Sequence, residues 1–125
     1  TNRYFNYIYV RMGAHTLIHK RTEDDIWKNL FELPLVETEK DLSEEEFLAC
    51  PQFHALFAEG ELRMVRTLLR GVKHVLSHRV IYTNFYEVTL PDNSSSFSSY
   101  QRVAVEDLGR YAVPRLIHAF LEKYV

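Results

Sequence analysis

The sequence predicts an α+β domain in which a mixed β-sheet is flanked by helices. Two stretches, residues 4–20 and 72–90, are dense in β-branched and aromatic residues, the signature of strands. A helix-opening pattern lies between them at Ser43, and a second, amphipathic one follows Pro114 at the end. Strands and helices do not alternate regularly, so a strictly wound α/β sheet is not expected. The 125 residues are 46% hydrophobic and 14% aromatic, which suits one domain across residues 1–125 with a real core.

Residues 4–10, Tyr-Phe-Asn-Tyr-Ile-Tyr-Val, read as the first strand, and Met12-Gly13-Ala14 as a turn. Residues 15–20 are expected to return as the second arm of a hairpin. Residues 22–25 are polar and acidic and read as a surface turn. Residues 26–36 form a compact apolar segment around Pro34, which belongs at a strand end or bulge because it lacks a ladder donor. Ser43 with Glu46 three positions on has capping-box spacing. The helix it opens carries Phe47, Leu48, Phe53, Leu56 and Phe57 as an apolar stripe, and Pro51 divides it in two. Gly60 closes that region. Residues 72–90 are too long for one ordinary strand, and a bend near Ser77-His78 is expected to give two. Residues 91–99 are a polar loop, 100–105 a short strand, and 106–108 a helical turn. The last helix buries Leu116, Ile117, Phe120, Leu121 and Tyr124.

Composition also narrows the function. No apolar run is long enough to span a membrane, and no charged-then-apolar leader is visible. The abrupt start, Thr1-Asn2-Arg3-Tyr4, reads as a cut from a longer chain. Cys50 is the single cysteine, so there is neither a disulfide framework nor a thiolate cluster, and a reducing, cytoplasmic setting is the natural inference. The net charge of −2 argues against a free-standing, high-affinity DNA binder. That average conceals an asymmetry. Residues 37–46 hold six acids and one base, whereas residues 63–79 hold five Arg or Lys and no acid. One face is therefore expected to be locally basic.

Few constellations carry chemistry. His15 with His19, and His74 with His78, share a spacing of four, but neither pair has a third ligand at characteristic spacing. Glu44, Glu45 and Glu46 point in different directions on a helix and suit the positive end of its dipole. No nucleophile elbow, phosphate loop or dinucleotide fingerprint is present. Trp27, the single tryptophan, reads as a core residue. The remaining candidate is Lys73-His74-Val75-Leu76-Ser77-His78-Arg79. It places a hydroxyl, an imidazole and a guanidinium on a loop between strands, groups suited to phosphates and base edges.

Taken in order, these segments resemble one family. Residues 26–34, Ile-Trp-Lys-Asn-Leu-Phe-Glu-Leu-Pro, are similar to the strand preceding the catalytic box of Nudix-fold proteins, and the hairpin with His19-Lys20-Arg21 fits the same position. The box itself, Gly-x5-Glu-x7-Arg-Glu-x2-Glu-Glu-x-Gly, is absent: Leu35 follows Pro34 where its glycines belong. A Nudix-like fold without its box resembles the C-terminal domain of MutY-type adenine DNA glycosylases. That domain checks for 8-oxoguanine opposite the target adenine, using a short apolar-Ser/Thr-His loop after a strand. Leu76-Ser77-His78 matches that loop, with leucine where phenylalanine is common, and Tyr111-Ala112-Val113-Pro114-Arg115 matches the start of the family's last helix.

The resemblance implies a recognition module with no catalytic residue, metal or cofactor of its own. Its partner would be double-stranded DNA carrying 8-oxoguanine:adenine. The parent enzyme would supply a helical catalytic domain with a helix-hairpin-helix and an iron–sulfur cluster, and would flip and excise the adenine. By the same resemblance Ser77 contacts the lesion, Leu76 wedges against a base, His78 supports the loop, and Arg79 and Lys73 attract phosphate. A monomer is expected. A divergent Nudix hydrolase acting on nucleoside diphosphate derivatives and a protein-interaction module are the alternatives.

Overall fold

A computed structural model describes all residues 1–125. Its strands are β1 (Asn2–Arg11), β2 (His15–Lys20), β3 (Phe31–Glu32), β4 (Leu35–Thr38), β5 (Met64–Leu76), β6 (Arg79–Thr89) and β7 (Gln101–Ala104). Helices α1 (Glu44–Ala49) and α2 (Pro51–His54) lie between β4 and β5, and a 3-10 helix (Val105–Arg110) precedes α3 (Arg115–Tyr124). The α+β class expected from the sequence is the class observed.

The strands form two sheets. One has the order β4-β1-β6-β5, with β1 parallel to β6 and the other pairs antiparallel; the second has the order β3-β2-β7. The expected hairpin between β1 and β2 is therefore corrected. Met12 and His15 exchange both backbone hydrogen bonds across Gly13 (φ 58), but the arms then diverge into different sheets. The reason is occupancy. β1 pairs β6 along its whole length and β4 over Tyr4–Tyr7, while β2 has its own two partners, β3 and β7.

Strand alternation divides the core in two. Phe5, Tyr7, Tyr9, Ile81 and Phe85 face one way, against Ile18, Val103, Leu116, Ile117 and Phe120. Ile8, Val10, Tyr86 and Val88 face the other way, against Phe47 and Phe53 of the helices. The capping box at Ser43 is formed in both directions, and Pro51 separates α1 from α2 as expected. Pro34 sits between β3 and β4, at the end of a strand.

β5 is the edge strand, and it begins well before residue 72, where the β-forming composition starts. Its first half sets Arg66 and Arg70 among apolar residues, and its register against β6 shifts between Thr67 and Leu69 and again between Leu69 and Val72. This irregularity is held from both sides. The Gly71 N–H (φ 70) donates to Asn84 Oδ1 at 2.8 Å, and Arg70 donates to the Tyr86 hydroxyl and the Leu42 carbonyl. Beyond it, β5 and β6 pair regularly out to Leu76 and Arg79.

Candidate nucleic-acid interface

The β5–β6 hairpin ends in a two-residue turn, Ser77-His78, closed by the pairing of Leu76 with Arg79. Hairpins this tight favour turns with φ > 0, usually supplied by Asn or Gly. Neither Ser77 nor His78 has positive φ. Both are exposed, and neither side chain forms a hydrogen bond within the chain, so a hydroxyl and an imidazole are presented to solvent.

Alternation along β5 sorts the remaining candidates. Lys73 and Val75 are exposed, whereas His74 and Leu76 are half-buried. Leu76 packs against the first core cluster and so roots the tip, leaving part of its side chain exposed. His74 lies edge-on to Trp27, with ring centroids 5.9 Å apart. Its partner in spacing, His78, is in the turn, so the two do not share a strand face. Lys73 lies opposite Tyr82, whose ring stacks on Tyr4.

The basic tract does not form the concentrated face expected from composition. Arg66 is paired with Glu87 at 2.8 Å, and Arg70 lies 3.9 Å from Asp41 while bonding neutral oxygens. Charges on an edge strand also discourage pairing with another sheet, which accounts for them structurally. At the tip itself the cations are Lys73 and Arg79.

The structure adds a second wall that sequence reasoning missed. The loop from Arg21 to Leu30 packs against the hairpin, closed by Arg21 N–H to Leu30 O at 2.8 Å and Asn29 N–H to Arg21 O at 2.7 Å. Trp27 and Asn29 both have positive φ, 58 and 73, an uncommon conformation for a bulky residue. Trp27 is half-buried and packs on the first core cluster, set between Phe5 and His74.

Asp25, in the same loop, is met by three arginines. Arg3 binds it with two hydrogen bonds of 2.8 and 2.9 Å, Arg21 with one of 2.9 Å, and Arg79 approaches to 3.6 Å. The Arg3 hydrogen bonds, with the Ile26 N–H, hold the Asp25 carboxyl down at about 2. Arg21 continues the network inward to Glu32, which is 2% exposed and also accepts from the Tyr7 hydroxyl at 2.6 Å. His19 Nε2 lies 2.9 Å from Glu32 but is not aligned for a hydrogen bond. Burial, followed by the neighbouring Glu32 charge, pushes the Tyr7 phenol up. Apart from Arg21 with Asp25, four residues on, these partners are distant in sequence.

The acidic helix start offers a divalent ion little. Glu44, Glu45 and Glu46 are exposed, and Glu46 directs its carboxylate to the Ser43 N–H at 2.9 Å. No three His, Cys, Asp or Glu side chains gather as a ligand group anywhere in the chain. The metal used by enzymes with a complete Nudix box therefore does not fit the residues present. No helix is long and apolar enough to cross a membrane. The main concavities lie away from the tip. One of about 400 Å³ runs between the 3-10 helix and α3, lined by Val105, Leu108, Tyr111, Val113, Leu121 and Val125.

A family model described as "NUDIX domain" matches residues 6–123. Sequence comparison with curated proteins finds no match. Among solved structures, the chain is similar to the C-terminal domain of mouse MUTYH in its complex with human PCNA. The TM-score is 0.69 at 15% identity, covering 98% of this chain and 86% of that one. It is also similar to a MutT NUDIX hydrolase from Burkholderia pseudomallei, with TM-score 0.66 at 16% identity and coverage of 100% and 99%. A MutT protein from Methanosarcina mazei gives 0.61 at 18% identity, with coverage of 98% and 91%. At these identities the likeness is one of fold.

Proposed function

Since the chain belongs to the NUDIX domain family, we propose that it is a non-catalytic member that reads 8-oxoguanine opposite adenine in duplex DNA, presenting the β5–β6 turn to the lesion. The observation that carries this reading is the turn itself. The side chains of Ser77 and His78 are exposed and free of internal hydrogen bonds, the His78 carbonyl accepts from the Thr1 amino group at 3.5 Å, and Lys73 and Arg79 lie beside them. 8-oxoguanine differs from guanine by an O8 acceptor and an N7–H donor, and a serine hydroxyl can serve either. The exposed part of Leu76 meets the base or its neighbour, His78 supports the turn, and Lys73 and Arg79 attract phosphate without reading sequence.

The shared fold with the mouse MUTYH domain supports this reading. The MutT likeness is comparable in fold, but the missing box and the lack of converging acids weigh against hydrolysis. In this reading the adenine is excised by a separate catalytic half carrying the iron–sulfur cluster. This chain needs no cofactor and acts as a cytoplasmic monomer within that enzyme.

The test is an NMR titration of the 15N-labelled chain at low salt with duplexes containing 8-oxoguanine:adenine or guanine:adenine. Shifts concentrated at residues 76–79, and larger for the oxidised duplex, are expected. Equal shifts with both duplexes, or shifts confined to other surfaces, reject lesion reading by the turn.

A second reading has one observation in its favour. The mouse domain was solved in a complex with PCNA, and the apolar groove between the 3-10 helix and α3 offers this chain a surface for a protein partner.

A further inference from the structure

The three arginines around Asp25 are not equivalent. Arg3 and Arg21 bind the carboxylate through directed hydrogen bonds, and the Ile26 N–H adds another at 2.8 Å. The carboxylate oxygens are thus already well supplied with donors. Arg79 stands 3.6 Å away, makes no hydrogen bond to it, and keeps a side chain that is 44% exposed. Its guanidinium is drawn toward Asp25 by charge while its N–H donors remain open to another acceptor. Arg79 also closes the turn at whose apex Ser77 and His78 sit. Any nucleic-acid phosphate that reaches Arg79 must do so close to the Asp25 carboxylate and against its negative charge.

We propose that Asp25 acts as an electrostatic brake on Arg79, weakening phosphate attraction at the tip to the same degree for oxidised and normal duplexes. This inference rests on the DNA-recognition reading above. The brake is a like-charge effect on the phosphate combined with a competing attraction for the guanidinium. Both are exposed-pair effects, so the expected size is modest, roughly two- to fivefold in affinity.

The test is a double-mutant cycle, followed by fluorescence anisotropy at low salt with labelled 8-oxoguanine:adenine and guanine:adenine duplexes. The proteins are wild type, Asp25→Asn, Arg79→Gln and the combination. Asp25→Asn should tighten binding roughly two- to fivefold on both duplexes, because phosphate contacts carry no base information. In the Arg79→Gln background the same substitution should tighten binding less, because only the like-charge effect on the phosphate remains to be relieved. Equal tightening in both backgrounds would reduce the effect to net charge and overturn the brake; unchanged or weaker binding by Asp25→Asn would overturn it too.

The two ideas fail separately. Lesion preference with no response to Asp25→Asn removes the brake alone. A response to Asp25→Asn without lesion preference removes base reading alone. No binding by any of the proteins removes both. Because Asp25→Asn disturbs a network, a measurement on wild type stands beside it. The Arg79 Nε–Hε resonance should move on addition of either duplex while those of Arg3 and Arg21 stay in place, and an unmoved Arg79 signal overturns the proposal.

Discussion

Removing the Glu32 carboxylate should cost more stability than any other single polar change near the Arg21–Leu30 loop. Glu32 is 2% exposed, and its oxygens lie 3.0 Å from Arg21 Nη1 and 2.6 Å from the Tyr7 hydroxyl. Arg21 is itself only 9% exposed, so Glu32→Ala removes the buried member of its two charge partners and leaves Asp25 as the other. Breaking one side of a buried pair typically costs about 3–5 kcal/mol. Tyr7→Phe is the graded control. It deletes one hydrogen bond to a charged group, worth about 1.5–3 kcal/mol, and leaves the Arg21 pair intact. Urea unfolding at neutral pH measures both. For a domain of this size the larger loss corresponds to a fall in Tm of about 10–20 °C. A Glu32→Ala loss below about 1 kcal/mol, or one no greater than that of Tyr7→Phe, would refute the argument that the carboxylate holds Arg21 in place.

Ser77 is exposed and unbonded, so Ser77→Ala should change stability by less than about 0.5 kcal/mol. It should lower discrimination between oxidised and normal duplexes by about two- to tenfold, the worth of one hydrogen bond, in a competition binding assay. Asp25 and Glu61 are both held at about 2, below ordinary values of 3.8 and 4.5, by the Arg3 and Ser94 hydrogen bonds respectively. A depressed carboxyl stabilises the fold above its unfolded value and loses that contribution as pH falls through the folded one. Urea midpoints should therefore drop between about pH 4.5 and 2, and Asp25→Asn with Glu61→Gln should flatten that drop. A Cβ at Gly71 meets no atom within 4 Å, yet φ is 70, so Gly71→Ala should cost about 1–2 kcal/mol through the backbone alone, read by the same unfolding curves.

The parts of the fold legible in the sequence were those fixed by local chemistry. The Ser43 capping box, the break at Pro51, the bend at Ser77-His78 and the start of α3 after Pro114 each depend on a few neighbouring residues. What was not legible depended on partners far along the chain. The alternation of β1 is the same whether it pairs β2 or β6, so the local pattern could not exclude the hairpin. The first half of β5 was hidden by its basic residues, which an edge strand tolerates and a central one does not. At the candidate site the turn was visible and its surroundings were not. Asp25 lies 22 positions from Arg3 and Trp27 lies across from His74, so only folding brings the second wall to the tip.

The turn at the tip does not require its residues, which is what is expected if the tip serves something outside the fold. A two-residue hairpin is best served by Asn-Gly, whose positive φ matches the twist of the flanking strands. Ser77 and His78 instead hold the turn without positive φ, and neither side chain contributes a hydrogen bond to it. Local rules broken without internal compensation mark sites where another requirement dominates. The replacement Ser77→Asn with His78→Gly separates the two requirements. If the fold alone matters, the variant should be at least as stable as wild type, by up to about 1 kcal/mol, and should bind both duplexes as wild type does. If the residues are there for the lesion, the same stable variant should lose its preference for the oxidised duplex while retaining the salt-dependent attraction carried by Lys73 and Arg79. A destabilised variant would instead show that Ser77 and His78 support the hairpin itself, and the argument from a free turn would fall.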